Sequence, residues 1–297
     1  MPEPRLLPDD TQPVSVRLQV SDLARSRQWY TQTLGCRVLR TPAHQALPDD
    51  VHPHEVLLGA DGDDQPLITL EERPGTHPTS PHSRLGLYHF AILLPSRAAL
   101  GAFVRHLASL DVRAGSADHL VSEALYLHDP DGLGIEVYCD RPRRAWSYAA
   151  DGHVVMTVDP LDLRDLADAA TAPWSGLPAG TTLGHMHLHV GDLDRARAFY
   201  RDALGFDEMA SLRGALFLAA GGYHHHLGVN VWATGASSPD ATDAQLLEWT
   251  LRVPGSGNAQ AAADRLKAAG HEVTSDGHAW TVRDPWGTAV NLFASVP

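Results

Sequence analysis

The amino-acid sequence predicts an α+β fold built from four copies of one module, in which a strand is followed by a helix and three more strands (βαβββ). The first observation is an internal repeat, because VSDLARSRQWYTQTLG at 20–35 returns as VGDLDRARAFYRDALG at 190–205. The second is the alternating strand before each copy, VSVRLQV and HMHLHV. The third is a pair of Asp-Pro-x-Gly turns, DPDG at 129–132 and DPWG at 284–287, each leading into a strand.

The elements of each module follow in the same order. Asp22 and Asp192 are predicted to begin the repeated helix as N-caps, and Gly35 and Gly205 to end it. A strand and a helix also precede each Asp-Pro turn (YHFAILLP with RAALGAFVRHLASL, and EWTLRVP with AQAAADRLKAAG). Modules one to four are therefore predicted at 12–73, 86–140, 183–233 and 245–295.

These modules divide the chain into two halves, 1–140 and 183–297, joined by a linker over 141–182. The linker is predicted to contain a short helix near 161–170, and residues 1–11 to form a loose tail.

Composition excludes several classes of function. The 297 residues carry a net charge of −13 without a basic stripe, which disfavours a nucleic-acid or anionic-membrane partner. The start, MPEPRLLPDD, is unlike a signal peptide, and no apolar run approaches the roughly 18 residues of a membrane span. Two cysteines, Cys36 and Cys139, fit a reducing cytoplasm. Eighteen histidines in an acidic, cysteine-poor chain indicate a metal site made of imidazoles and carboxylates.

The four-module pattern resembles the vicinal oxygen chelate (glyoxalase-like) superfamily, which includes glyoxalase I, fosfomycin-resistance proteins and type I extradiol ring-cleaving dioxygenases. The resemblance implies that modules combine in pairs into two half-barrel cups, with a metal ion inside a cup. It also implies that the metal ligands come from the first and last strands of a module. The fold alone does not specify an activity.

The positions that correspond to those ligands can be compared between modules. Six residues before each first-strand turn stand Ser15, His89, His185 and Glu248. The last-strand positions of modules two, three and four hold Glu136, Asn230 and Asn291. Two histidines and one carboxylate form the facial triad of non-haem Fe(II) oxygenases. We therefore expect His89, His185 and Glu136 to bind Fe(II), or Mn(II), which suits the same ligands, and Asn230 to lie against the substrate.

This ligand set also predicts which modules share a cup. Pairing module two with module one would bring Ser15 to the site and leave the metal one ligand short, whereas pairing with module three supplies His185. We therefore predict an inner cup, made of modules two and three, which holds the metal. The outer cup, made of modules one and four, is then structural. Extradiol dioxygenases more commonly pair module one with two and three with four.

Residues 119–136, HLVSEALYLHDPDGLGIE, resemble the signature of type I extradiol dioxygenases, most closely the catechol 2,3-dioxygenases of the Bacillus type. The matching residues are His119, Leu125, Tyr126, Asp129, Pro130, Gly132 and Glu136. The resemblance implies that His119 and Tyr126 contact a substrate hydroxyl. A second stretch, YHHHLGV at 223–229, resembles the one with the acid–base histidine, which gives that role to His225.

Alternate residues of a strand share one face, and counting back by twos from Asn230 places His226, not His225, on the inward face. A β-bulge between them would reverse this assignment. His226 is therefore the alternative candidate for the acid–base role, and it is also a candidate substrate-binding residue.

Together these resemblances imply that the chain cleaves the ring of a small aromatic diol with O₂. A catechol must lose a proton to chelate a metal through two adjacent oxygens, and a histidine is suited to accept that proton. Two alternatives are a glyoxalase-type metal-dependent isomerase or lyase, and a metal-free ligand-sequestering protein of the bleomycin-resistance kind. The diol's substituents, the choice between Fe(II) and Mn(II), and a homo-oligomeric state are left open by the sequence.

Overall fold

The computed structural model describes residues 6–39, 54–212 and 214–295. Within these ranges sixteen strands form two mixed sheets of eight strands each. Each sheet joins the strands of two modules and curls into a half-barrel, as the α+β prediction of four βαβββ modules requires.

The outer cup combines modules one and four. Module one supplies β1 (Gln12–Val20), β2 (Arg37–Leu39), β3 (Glu55–Gly59) and β4 (Ile68–Glu72). Module four supplies β13 (Gln245–Pro254), β14 (Val273–Ser275), β15 (Ala279–Arg283) and β16 (Ala289–Ser295). The strand order is β14-β15-β16-β13-β1-β4-β3-β2, with β1 and β13 antiparallel at the centre. Each central strand lies parallel to the last strand of its own module.

The inner cup repeats this arrangement with modules two and three. Module two supplies β5 (Gly86–Leu93), β6 (Gly115–Asp118), β7 (Ser122–His128) and β8 (Gly134–Asp140). Module three supplies β9 (Thr182–His189), β10 (Asp207–Leu212), β11 (Ala215–Ala219) and β12 (Leu227–Asn230). The order is β10-β11-β12-β9-β5-β8-β7-β6, with β5 and β9 antiparallel at the centre. The predicted pairing of modules two with three and one with four is confirmed.

The helices begin where the sequence places their caps. Asp22 accepts the N–H of Arg25 and Asp192 that of Arg195. In the part of the chain that the structure describes, the helices are α1 (Leu23–Gln32), α2 (Arg97–Ser109), α3 (Leu163–Asp168), α4 (Leu193–Ala196) and α5 (Ser256–Ala268). Helix α4 continues as a π-helix over Arg197–Leu204, and a 3₁₀ turn covers Arg143–Ala145. The short helix predicted near 161–170 is α3. Gly205 ends the α4 segment with a φ of 110°, a conformation that glycine adopts without strain.

The repeated tyrosine of each helix joins the two cups. The Tyr30 hydroxyl donates to Asp129 at 3.1 Å, and the Tyr200 hydroxyl donates to Asp284 at 2.8 Å. Both rings are fully buried. Each acceptor belongs to the Asp-Pro turn of the next module, so each bond crosses from one cup to the other. The same contact between the two cups therefore occurs in both copies of the repeat.

The start of the described chain is packed rather than loose. Leu7 belongs to the main hydrophobic core and is 2% exposed, and Thr11 is fully buried. The prediction of a loose tail is therefore wrong for residues 6–11, because an apolar side chain there reaches the core; residues 1–5 lie outside the described ranges. None of the helices in those ranges combines the length and the apolar character needed to cross a bilayer.

Candidate metal centre

Three buried side chains converge inside the inner cup. Oε2 of Glu136 on β8 lies 3.0 Å from Nε2 of His89 on β5 and 3.1 Å from Nε2 of His185 on β9. All three residues are at most 5% exposed, and one ligand atom from each lies within 4.8 Å of the other two. The structure thus brings together the three residues that the sequence predicts as metal ligands, from strands of both modules.

The donor atoms of this triad fit a divalent metal ion. Nε2 of His89 is buried and makes no hydrogen bond to any described residue, although a carboxylate oxygen lies 3.0 Å away. A buried polar atom without a partner costs about 1–3 kcal/mol, a cost that coordination to a shared ion would remove. Burial lowers the pKa of His89, so its ring is neutral.

The charge state of Glu136 fits such an ion as well. Burial by itself would raise its pKa, but the facing His185, whose Nε2 lies 3.1 Å from Oε2 of Glu136, outweighs burial and holds the pKa of Glu136 well below its usual range. Two imidazoles and an ionised carboxylate are the donors that Fe(II) and Mn(II) accept.

A β-bulge in β5 turns two neighbouring rings into the cup. The register with β9 shifts between Leu87 and His89, and Tyr88 and His89 both line the same cavity. Consecutive residues of a regular strand face opposite sides of a sheet, so parity alone would place Tyr88 outside the cup. Tyr88 could not be predicted as a site residue from the sequence, because no residue pattern in β5 marks the bulge.

An apolar cavity of about 450 Å³ opens beside the triad. His89 and Glu136 form part of its wall, and the other polar side chains there include His119, Tyr126, His187 and His225, with Ser116 and Thr157. The larger apolar or aromatic side chains are Tyr88, Met156, Val158, Leu212, Phe217 and Trp232. Met156 and Val158 belong to the segment predicted as a linker, which therefore also forms part of the site. A cavity with apolar walls and a few convergent polar groups is typical of a small-molecule site.

His119 and Tyr126 form a hydrogen-bonded pair in this wall. Nδ1 of His119 donates to the carbonyl oxygen of Thr157 at 2.6 Å, because a carbonyl only accepts. With that hydrogen on Nδ1, Nε2 of His119 can accept the Tyr126 hydroxyl, also at 2.6 Å. Burial and the nearby charge of Glu136 raise the pKa of Tyr126 well above its usual value, so the hydroxyl stays protonated. Tyr126 and Glu136 are direct partners in the β7–β8 register, which explains their fixed spacing across the turn.

Of the three consecutive histidines, His225 is the one that faces the cavity. Its ring centroid lies 4.1 Å from that of His185 and 5.0 Å from that of Phe217. Strand β12 begins at Leu227, so the parity counted back from Asn230 does not extend to these residues and no bulge is needed. Burial lowers the pKa of His225 well below its usual value, and His185 and His224 lower it further.

The two residues expected to bind substrate lie away from the cavity. Nδ1 of His226 accepts the backbone N–H of Ala220 at 3.2 Å, and its ring stacks on Tyr223. Asn230 is fully buried, with Oδ1 2.7 Å from Nδ1 of His189 and Nδ2 2.9 Å from Nε2 of His187. Neither His226 nor Asn230 is among the described residues that line the cavity.

The equivalent place in the outer cup holds an ion-pair cluster. Arg17 on β1 lies 2.5 Å from Glu55, 2.9 Å from Glu71 and 3.4 Å from Glu248. Glu248 stands where module two has His89, and Asn291 on β16 bonds to the hydroxyl of Thr281 at 2.7 Å. The guanidinium of Arg17 therefore offsets part of the charge of these carboxylates.

Comparisons with known proteins agree with this fold. The model of the Glyoxalase/Bleomycin resistance protein/Dioxygenase superfamily matches residues 12–137 and 182–292. Catechol-2,3-dioxygenase of Bacillus subtilis strain 168 is 41% identical over 289 residues, which are 96% of this chain and 98% of that protein.

Two solved structures share the fold. A provisionally assigned dioxygenase from Bacillus subtilis has a TM-score of 0.65 and 12% identity, with 96% of this chain and 86% of the other covered. Glyoxalase I from Zea mays has a TM-score of 0.56 and 18% identity, with 96% and 92% covered. These two structures support the fold alone, since their identities are low. The family match and the 41% identity together establish that this chain belongs to the Glyoxalase/Bleomycin resistance protein/Dioxygenase superfamily, the vicinal oxygen chelate superfamily that its modules resemble.

Proposed function

We propose that this protein is an extradiol ring-cleaving dioxygenase, which inserts O₂ into a catechol-type diol at an Fe(II) ion held by His89, His185 and Glu136. The observation that carries the proposal is the convergence of these three side chains beside an apolar cavity, whose wall includes His89 and Glu136. The 41% identity to Bacillus subtilis catechol-2,3-dioxygenase, over nearly the full length of both chains, supports the same class of reaction. Mn(II) suits the same donors.

Fe(II) bound there would supply open positions at which both diol oxygens and O₂ bind together. The residues of the chain prepare the diol for this. Tyr126 is protonated and lies beside Glu136, so its hydroxyl can hydrogen-bond to a diol oxygen, with His119 holding its orientation. His225 is neutral and faces the same cavity, so it can accept the proton that the diol loses and return one later.

The cavity walls protect these steps from water. Met156, Phe217 and Trp232 surround the space next to the triad with apolar surface. Exclusion of water strengthens the electrostatic interactions inside the site and prevents side reactions. An aromatic ring is the kind of ligand that such walls accommodate.

We infer supporting roles for His226 and Asn230 in place of substrate contact. Asn230 connects His187, which lines the cavity, to His189 through its two amide atoms. His226 fixes the backbone at Ala220, next to the loop that carries His225. Both therefore hold neighbouring side chains in place.

Two measurements on the full chain test the proposed function. Metal analysis after anaerobic purification should find about one iron per chain, and addition of catechol should produce a ring-opened chromophore with uptake of O₂. Zinc or nickel without O₂ uptake would contradict the proposal in favour of a glyoxalase-type isomerase or lyase. Tight diol binding without any metal would contradict it in favour of a ligand-sequestering protein.

A further inference from the structure

Two further side chains form a hydrogen-bonded row that starts at His225. Nδ1 of His225 lies 2.7 Å from Nδ1 of His224, and Nε2 of His224 lies 2.9 Å from Oδ1 of Asp140. His224 is completely buried, and the side chain of Asp140 is 25% exposed. The second oxygen of Asp140 accepts the Tyr223 hydroxyl at 2.9 Å. Asp140 is therefore held from two sides.

The hydrogen positions in this row follow from the chemistry of its end. A carboxylate only accepts hydrogen bonds, so Nε2 of His224 carries a hydrogen. When this is the single ring hydrogen of His224, its Nδ1 is an acceptor. The nitrogen that faces it, Nδ1 of His225, must then be the donor. This leaves Nε2 of His225 without a hydrogen and with its lone pair free.

We propose that Asp140 and His224 are positioning residues that hold His225 in its Nδ1–H tautomer, so that Nε2 is the atom that accepts the diol proton. The inference rests on the proposed function, in which His225 is the acid–base residue. The proton moves from a diol oxygen to Nε2, while the hydrogen on Nδ1 stays in its bond to His224. The positive charge that this leaves on His225 is stabilised through His224 by the carboxylate of Asp140. A carboxylate orients the catalytic histidine of serine hydrolases by the same physical principle.

The strand that carries Glu136 also places this row. Residues 136, 138 and 140 of β8 alternate with their neighbours and so share one face of the sheet. The hydroxyl of Tyr138 lies 2.8 Å from that of Tyr223, which in turn donates to Asp140. A single strand therefore sets both the proposed metal ligand and the residue that orients the proposed base.

The test is the ring tautomer of His225, observed by nitrogen NMR of the full chain labelled with ¹⁵N-histidine. Zn²⁺ replaces iron because it is diamagnetic, and the spectra are recorded at about pH 8, above the ordinary histidine pKa of about 6.5. The signal of His225 is assigned from its loss in His225→Phe. Turnover and iron content are measured on the iron-loaded proteins in parallel.

The decisive variant is Asp140→Asn. An amide can donate to Nε2 of His224, which moves the His224 hydrogen to Nδ1 and makes Nδ1 of His225 the acceptor. We expect His225 to change from the Nδ1–H to the Nε2–H tautomer, and kcat to fall about 10–100-fold with KM and iron content retained. Tyr223→Phe is the matched control, since it keeps the carboxylate beside His224 and should keep the Nδ1–H tautomer.

The outcomes separate this inference from the proposed function. An Nε2–H tautomer in the unmodified chain, or an unchanged tautomer in Asp140→Asn, would overturn the inference. A change of tautomer with undiminished turnover would support the hydrogen-bonded row but contradict the acid–base role of His225. Failure to bind Zn²⁺ or iron would contradict the proposed metal site, and the tautomers would still be readable.

Discussion

The rings of His89 and His185 lie 5.6 Å apart, centroid to centroid, although they belong to different halves of the chain. They reach this separation because β5 and β9 pair antiparallel at the centre of the inner cup. Module two contributes His89 and Glu136, and module three contributes His185. The proposed metal centre is therefore complete only when the two halves are folded together, and metal binding should stabilise their pairing.

Glu136→Gln should abolish stoichiometric iron binding and turnover, because a neutral amide replaces the only charged ligand of the triad. Glu248→Gln is the matched control, since Glu248 occupies the position equivalent to His89 in the outer cup and contacts Arg17. That variant should keep its iron. The measurement is iron per chain by elemental analysis, and full iron occupancy in Glu136→Gln would refute the ligand assignment.

His225→Phe should lower kcat about 10²–10⁴-fold, the range typical of general acid–base residues, with iron retained. His226→Phe should change kcat much less, because His226 bonds to the backbone of Ala220 and lies away from the cavity. It should instead lower the free energy of unfolding by about 1–3 kcal/mol, since the N–H of Ala220 loses its partner. O₂ uptake at saturating catechol measures the first effect and urea unfolding the second. A larger loss of kcat in His226→Phe than in His225→Phe would assign the acid–base role to His226.

Tyr126→Phe should lower kcat/KM about 10–100-fold while iron binding is retained. The variant keeps the ring but loses the hydroxyl that bonds to His119 and is proposed to bind a diol oxygen. Tyr148→Phe is a suitable control because Tyr148 is 53% exposed. Equal steady-state kinetics in the two variants would exclude a substrate contact for Tyr126.

The triad and the pairing of modules could be predicted from the sequence because the chain is duplicated. Equivalent positions in four modules can be compared, and only modules two and three offer two histidines and a carboxylate. The requirement that three ligands converge on one ion then selects the cup. At the corresponding positions of modules one and four, Ser15 and Glu248 do not complete such a triad, and Arg17 contacts Glu71 and Glu248 there.

Other parts of the site depend on features that have no periodic pattern. Tyr88 enters the cavity through a register shift in β5. Met156 and Val158 reach it from a segment without a strand or helix pattern. The orientation of His225 depends on where β12 begins, and strand parity cannot predict that boundary. Local strand irregularities and the path of a long connection are set by tertiary packing, which the residues of one segment do not encode alone.

The contact between Tyr30 and Asp129 predicts a pH dependence of stability. Asp129 is 5% exposed and also accepts the backbone N–H groups of Asp131 and Leu133. Burial raises its pKa to about 7, and the neighbouring Asp131 contributes to the rise. The folded state therefore holds this proton more tightly than the unfolded chain, in which the pKa of Asp129 has its ordinary value of about 3.9. The contribution of this proton to the free energy of unfolding is complete below about pH 4 and is lost as the pH rises to about 7.

Asp129→Asn should remove this loss, because an amide does not titrate but keeps an oxygen for the two backbone N–H groups. Between pH 5 and pH 7.5 the free energy of unfolding of the unmodified chain should fall by roughly 2 kcal/mol more than that of the variant. Urea unfolding at both pH values measures the difference. Asp168→Asn is the control, because that side chain is 75% exposed. Its free energy of unfolding should fall with pH by the same amount as that of the unmodified chain. An identical fall in the unmodified chain and in Asp129→Asn would mean that Asp129 is already ionised in the folded protein, and that Tyr30 donates its hydrogen bond to a carboxylate throughout this range.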